Sequence, residues 1–362
     1  MLRKFPRPIK RIVIKVGSSL IATYKMKPRV AQLNSLVEQI SSAKKKGVDV
    51  VLVSSGAIVL GMGELSKKLR PSDLASLQAI SAVGQTVLMN KYKQIFKKNK
   101  ATCGQVLLTW DDFDNRERYT NARATFSAML DWGIVPIVNE NDTISTDEIK
   151  FGDNDKLSAL VASLVQADLL VILSDVEGLY DMNREDKKVF DEVKEITSEI
   201  ESIAGGTTKK QMSKGGMTAK LDAVKIASHA KIPCIIASGE TKDVLSRILN
   251  GERIGTLFIE KEEKLLDRKH WISFGAKPKG ELIIDDGAKK AILQGGKSLL
   301  LVGVLSWNGH FKKEEVVIVR SKDGHEIARG ITNYSITDLG KAQDKKGQQE
   351  VIHVDDLVLS ER

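Results

Sequence analysis

Up to about residue 260, short runs of aliphatic and β-branched residues alternate with longer stretches whose apolar positions recur at intervals of three and four. The runs Arg11–Val16, Val48–Ser54, Gly104–Leu108, Ile134–Val138, Asp168–Ser174, Ile232–Ala237 and Thr256–Ile259 predict strands. Leu74–Lys97 and Lys156–Val165 predict helices between them. Strand-then-helix alternation predicts an α/β fold, an open, mostly parallel sheet sandwiched by helices. Several strands are almost continuously apolar, as a sheet buried on both faces requires.

The pattern breaks between Lys261 and Pro278. A charged stretch, Glu262 to Lys269, ends in Ala276-Lys277-Pro278-Lys279-Gly280, which reads as a linker. Beyond it come shorter strand patterns: Glu281–Ile284, Leu299–Val304, Val316–Arg320 and Glu326–Gly330. Asp323-Gly324 marks a hairpin turn between the last two. The expected organisation is a domain over 1–263, a linker over 264–278, and a small, mainly β domain with one helix near Ala288–Leu293 over 279–362.

Composition narrows the setting. The chain has 362 residues, enough for two domains, with 42% hydrophobic and 28% charged residues. Cys103 and Cys234 stand far apart, with neither a disulfide framework nor metal-ligand spacing, so a reducing, cytoplasmic setting is expected. The apolar run Ile12–Ile14 stops at Lys15, short of a signal-peptide core. No stretch approaches the ~20 apolar residues that span a bilayer, and no membrane partner is expected. The net charge of +9 divides into +6 over residues 1–263, +3 over 264–278 and zero over 279–362. A mild excess on the larger part suits a polyanionic ligand. It is not the concentrated basic face of a nucleic-acid binder.

The chemistry-bearing segments gather where ligands gather in such sheets, at the carboxyl ends of strands. Lys15-Val16-Gly17-Ser18-Ser19 places a cation beside free backbone N–H groups. Taken alone, Lys15 is equally a strand lysine reaching for water. Ser54-Ser55-Gly56-Ala57 opens a helix whose N-terminus favours an anion, or is an ordinary capped turn. Asn139-Glu140-Asn141-Asp142-Thr143 puts five polar residues directly after a buried strand. Phe151-Gly152-Asp153-Asn154-Asp155-Lys156 starts a helix with more polar groups than a cap needs. Lys214-Gly215-Gly216-Met217-Thr218-Ala219-Lys220 leads into another helix, with a lysine in or near a first turn that disfavours cations unless an anion is bound. Five such segments in one sheet carry more weight than any one of them.

No G-x-x-x-x-G-K-[ST] loop, kinase H-R-D or D-F-G, or G-x-G-x-x-G motif is present. The five histidines lie outside these segments, so lysines and carboxylates dominate the candidate chemistry. A carboxylate nucleophile suits that inventory. With an ordinary pKa of about 4.3 it is ionised at neutral pH and needs no general base. The difficulty is bringing it up to a nucleotide, which two lysines and a magnesium ion would relieve.

The five segments resemble those of the amino-acid kinase family. Gly280-Glu281-Leu282, Asp286-Gly287-Ala288, Gly296-Lys297-Ser298-Leu299-Leu300 and Ala328-Arg329-Gly330 resemble a PUA domain. The resemblance implies that Lys15 and Lys220 stabilise the transferring phosphoryl group and that Asp155 holds both lysines. It implies that Ser55, Asp142 and Asn154 bind the acid. Lys15, Ser174, Asp175 and the loop Gly215, Gly216, Met217, Thr218, Ala219 and Lys220 would bind ATP. Among family members it favours those that phosphorylate the γ-carboxylate of L-glutamate, giving γ-glutamyl phosphate for proline synthesis. Phe151–Lys156 and the PUA-like tail favour them over kinases of N-acetylglutamate, aspartate or uridylate. The resemblance also implies magnesium, with no metal ligand assigned, feedback inhibition by proline, and a homodimer or homotetramer. A rival from another class is an RNA-binding protein acting through the tail. The zero net charge of 279–362 weighs against it.

Overall fold

The computed structural model describes residues 2–144, 154–181, 188–206, 216–259, 269, 271–342 and 349–360. Phe151, Gly152 and Asp153, Lys214 and Gly215, and 264–268 with 270 therefore lie outside the described residues. The described chain forms two units, one of residues 1–109 with 117–264 and one of residues 110–116 with 265–362.

In the first unit an eight-stranded sheet is built from β1 (Arg11–Val16), β2 (Asp49–Ser54), β3 (Thr102–Leu108), β4 (Ile134–Glu140), β5 (Leu169–Ser174), β6 (Glu192–Val193), β7 (Cys234–Ser238) and β8 (Thr256–Phe258). Their spatial order is β3-β4-β2-β1-β5-β7-β8-β6. All neighbours pair in parallel except β7 with β8. The helices up to residue 249, in chain order and counting α5 of the second unit, are α1 (Ser18–Ile21), α2 (Val30–Lys45), α3 (Ala57–Glu64), α4 (Leu74–Lys98), α5 (Trp110–Asp114), α6 (Arg116–Asp131), α7 (Asn154–Leu164), α8 (Ser198–Gly206), α9 (Met217–His229) and α10 (Val244–Leu249). Among the described residues no helix is long and apolar enough to cross a membrane.

Side chains alternate across a strand, and β1 uses both faces. Ile12, Ile14 and Val16 join Leu33, Leu36, Val37 and Ile40 of α2 in one core. Lys15 thereby points to the opposite face, where α7 packs on β1. The chain leaves β1 for β2 on one side and returns as β5 on the other. That reversal opens a crevice at the carboxyl ends of the central strands.

Helices α3 and α4 pack through two glycines. A Cβ on Gly84 would stand 1.7 Å from the Ala57 carbonyl oxygen, and one on Gly61 would stand 2.0 Å from that of Ile80. The backbones approach too closely for any side chain. This seam fixes α4 against the helix that begins immediately after Ser55 and Gly56.

The second unit carries a five-stranded sheet, ordered β11-β9-β12-β13-β15, and a two-stranded ribbon of β10 and β14. These strands are β9 (Gly280–Ile284), β10 (Leu299–Leu300), β11 (Val304–Gly309), β12 (Val316–Ser321), β13 (Glu326–Ile331), β14 (Glu350–Ile352) and β15 (Leu357–Leu359). Leu282, Ile284, Val317, Val319 and Ala328 form its core. Asp323-Gly324 makes the expected turn between β12 and β13, with Gly324 at φ +81°.

Two expectations need correction here. The strand Leu299–Val304 is broken by a turn of 3₁₀ helix at Leu301–Gly303, so β10 joins the ribbon and β11 the sheet. Gly303 allows the break, because a Cβ there would lie 2.6 Å from that of Ala288 while its carbonyl accepts from the Asp285 N–H at 3.0 Å. The unit also holds a second helix, Ile336–Ala342, whose Leu339 is fully buried, besides the one at Asp286–Gly295.

The second unit takes in α5. Phe113 is buried, its carbonyl accepts from the Trp271 indole N–H at 2.6 Å, and Asp114 pairs with Lys279 at 3.4 Å and accepts from the Lys277 N–H at 3.3 Å.

The glycine seam yields a test. Gly84→Ala gains about 1 kcal/mol of helix propensity, but its methyl group must displace backbone. A net loss of about 2–3 kcal/mol is expected, read as a lower urea midpoint. An unchanged midpoint would contradict the contact.

Candidate active site

The crevice is organised around Asp155, the second residue of α7 and completely buried. One carboxylate oxygen, Oδ1, pairs closely with Lys15 Nζ, and the other, Oδ2, accepts from Lys220 Nζ at 3.2 Å. The two lysine side chains are only 8% and 6% exposed. Residues 15, 155 and 220, remote in the chain, thus meet at one point.

Burial opposes the charge on Asp155, but the fields of Lys15 and then Lys220, with the hydrogen bonds they donate, outweigh it. The carboxyl is held below its ordinary value. Two ammonium groups face one carboxylate, and α7 and α9 both begin here with the positive ends of their dipoles. The cluster is therefore net positive and suited to an anion.

On one side, over β2 and β4, Asn154 ties three elements together. Its amide N–H₂ lies 3.0 Å from the Ser54 carbonyl, 3.2 Å from Ser55 Oγ and 2.8 Å from Asn139 Oδ1. Asn139 Oδ1 also accepts from the Glu140 N–H at 2.9 Å. Asp142 follows β4 and accepts from Ser81 Oγ at 2.6 Å. Burial pushes the Asp142 carboxyl up, against the hydrogen bond from Ser81 and the charge of Arg70. Gly56 caps α3 at φ +101°, with Ile21 directly behind it, and no side chain covers the helix start. A left-handed residue of this kind favours glycine.

On the other side, over β5 and β7, Ser174 Oγ donates to Asp175 Oδ1 at 2.9 Å. Gly239 N–H donates to the Ser174 carbonyl at 2.8 Å, holding the two strand ends together. Gly216 precedes α9 in extended conformation without a capping side chain. Met217, Thr218 and Ala219 form the first turn of α9, with Thr218 exposed. Gly215 of that loop lies outside the described residues.

Lys15, Asp155 and Lys220 thus converge, and Ser55 and Asn154 stand in direct contact. Ser174 and Asp175 form a neighbouring pair. Sequence reasoning passed over Ser81 and gave Asn139 no role of its own. Ser81 carried a weak signal: it falls on the buried face of α4, with Leu77, Ile80, Gly84, Gln85 and Leu88.

Removing the central charge tests the cluster. Asp155→Asn leaves two buried ammonium groups without their counter-ion, so a loss of about 3–5 kcal/mol is expected near neutral pH. Since the folded-state pKa of Asp155 is depressed, its contribution is complete above the unfolded carboxylate pKa and fades as pH falls through the folded value. The stability gap between wild type and variant, from urea midpoints, should shrink on acidification. A gap that widens would refute the arrangement.

Comparison with known proteins gives the family. Residues 10–238 match the model of the amino acid kinase family, and residues 280–354 match that of the PUA domain. A protein named glutamate 5-kinase from Thermoanaerobacter sp. (strain X514) is 43% identical over 97% of this chain and 98% of its own. One of the same name from Dictyoglomus turgidum (strain DSM 6724 / Z-1310) is 45% identical over 98% of both chains. Among solved structures, carbamate kinase from Giardia lamblia bound to AMP-PNP shares the fold, with a TM-score of 0.50, 18% identity, and coverage of 70% of this chain and 99% of that one. The chain belongs to the amino acid kinase family, with a PUA domain following the kinase fold.

Proposed function

We propose that this chain catalyses ATP-dependent phosphorylation of the γ-carboxylate of L-glutamate, the activity its relatives are named for. The observation that carries the reading is the buried, net-positive cluster of Lys15, Asp155 and Lys220. Polar groups suited to an amino acid flank it on the β2 and β4 side.

In the reaction a γ-carboxylate oxygen attacks the γ-phosphorus of ATP. The bond from that phosphorus to the β,γ-bridging oxygen breaks, and ADP leaves with the electron pair. The nucleophile is already ionised, so no side chain need take a proton. Lys15 and Lys220 offset the charge that gathers on the phosphoryl oxygens, and Asp155 keeps both ammonium groups in place. Ser55, Asn154 and Asp142 bind glutamate. Ser174, Asp175 and the loop 215–220 bind the nucleotide.

Magnesium, when bound with ATP, neutralises phosphate charge. The ion would be held largely by nucleotide oxygens and water, and no side chain is assigned to it. Proline keeps the ammonium and carboxylate of an amino acid, and we assign it the role of feedback inhibitor. A homo-oligomer, dimer or tetramer, in the cytoplasm completes the reading. Catalysis belongs to the kinase unit, and the neutral 279–362 is no dedicated nucleic-acid surface.

Incubation with ATP, magnesium and L-glutamate, followed by hydroxylamine, should yield the γ-hydroxamate, with far less product from aspartate or N-acetylglutamate. Turnover of another acid in place of glutamate would overturn the substrate assignment. In the same assay Lys220→Ala should lower kcat about a hundred- to a thousandfold while its circular dichroism stays native. Wild-type turnover would remove Lys220 from the mechanism.

A further inference from the structure

Two polar residues on the buried face of α4, Gln85 and Ser81, reach the end of β4 and the chain that follows it. Gln85 Nε2 donates to the Glu140 carbonyl at 3.3 Å, and Gln105 Nε2 donates to Gln85 Oε1 at 3.3 Å. One turn earlier, Ser81, with no exposed surface, donates to Asp142 Oδ2 at 2.6 Å. A serine inside a helix ordinarily returns its proton to a carbonyl of the preceding turn. Ser81 instead gives it to a residue 61 positions away. The turn that carries Ser81 is also the one pinned against α3, where Ile80 and Gly84 meet Gly61 and Ala57. Ser81 is therefore mounted rigidly relative to Ser55 and Gly56, and it holds Asp142 by a direct hydrogen bond.

An amino-acid substrate brings two carboxylates and one ammonium group. Of these three groups, a half-buried carboxylate such as Asp142 pairs favourably with the ammonium group alone. A carboxylate accepts about four hydrogen bonds, so Ser81 occupies one position and leaves acceptor capacity for the substrate.

We propose that Ser81 is a positioning residue, which orients the Asp142 carboxylate toward the ammonium group of the amino-acid substrate. The proposal rests on the assignment of Asp142 to substrate binding. It adds to that assignment the part of the substrate recognised and the group that sets the recognition. Ser81 does not touch the phosphoryl group, so its loss acts on substrate affinity and leaves the chemical step. It also acts on the charge of Asp142. Burial raises that carboxyl, while Ser81 and Arg70 lower it. Without the hydroxyl, protonation therefore begins at higher pH.

Steady-state kinetics on the full-length enzyme test the first part. Ser81→Ala should raise KM for glutamate roughly three- to tenfold, the scale of a weakened hydrogen bond to a charged group. Its kcat and its KM for ATP should stay within about twofold of wild type, a split expected when uniform binding is lost. The rise in KM should steepen as pH falls, and Ser81→Thr, which keeps the hydroxyl, should restore the wild-type pH profile. A KM for glutamate that does not move, or one that moves without any change in its pH profile, would overturn the proposal.

A second measurement is independent of the substrate. Carboxyl ¹³C resonances of labelled protein, with Asp142 assigned by its absence in Asp142→Asn, should show a higher titration midpoint in Ser81→Ala. An unchanged midpoint would sink the link between the two residues whatever acid the enzyme uses. A wild-type enzyme inert toward glutamate, with the midpoint shifted, would instead fault the substrate reading and leave Ser81 in its place.

Discussion

A carboxylate sealed from water is tolerable only while cations face it, and Asp155 has two. Lys15 lies one residue before the end of a strand at the centre of the sheet, and Lys220 lies near the start of a helix on one of its faces. The ion cluster therefore joins elements that nothing local brings together. It is complete only when β1, α7 and α9 are all in register. The same cluster makes a site: the cations outnumber the carboxylate, and the surplus faces the crevice. Folding and catalysis draw here on one set of charges.

Around that cluster the sheet divides its labour between faces. Ile12, Ile14 and Val16 bury themselves against α2, which frees the alternate position, Lys15, for the opposite side. On the acid side, Asn154 lashes the start of α7 to the ends of β2 and β4, next to Asp155 in sequence. The Gly61 and Gly84 seam sets α4 against α3, and Ser81 and Gln85 reach from α4 to the segment that leaves β4. The polar residues of this side come from several elements, so the geometry belongs to the assembled unit.

Much of this was readable in the chain. Lys15 stands out because a lysine interrupts an apolar strand, and Lys220 because a cation near a helix start runs against the dipole. The parallel α/β order followed from periodicity, and β1 was placed to the residue. The remainder depends on contacts that no window of sequence contains. Strand β3 begins at Thr102 because Thr102 and Cys103 pair with Ile134 and Val135, and β4 runs on to Glu140 because Leu107 and Leu108 pair with Asn139 and Glu140. The three-residue strands β14 and β15 are too short to show alternation. The bond between Ser81 and Asp142 is invisible for a further reason. Serine is a common helix residue, and only the seam between α3 and α4 reveals where its hydroxyl points.

The second unit is assembled from two stretches of chain, and α5 comes from the earlier one. Phe113 and Trp271, which share a hydrogen bond, are 158 positions apart. During synthesis, then, Phe113 leaves the ribosome long before the residues that will bury it, and it must wait as an apolar side chain without a home. The same discontinuity bears on dissection of the protein. A fragment cut at residue 265 would include Trp271, Lys277 and Lys279 but leave behind the carbonyl and carboxylate that satisfy them. Such a piece would carry the PUA signature in full and still be an incomplete body.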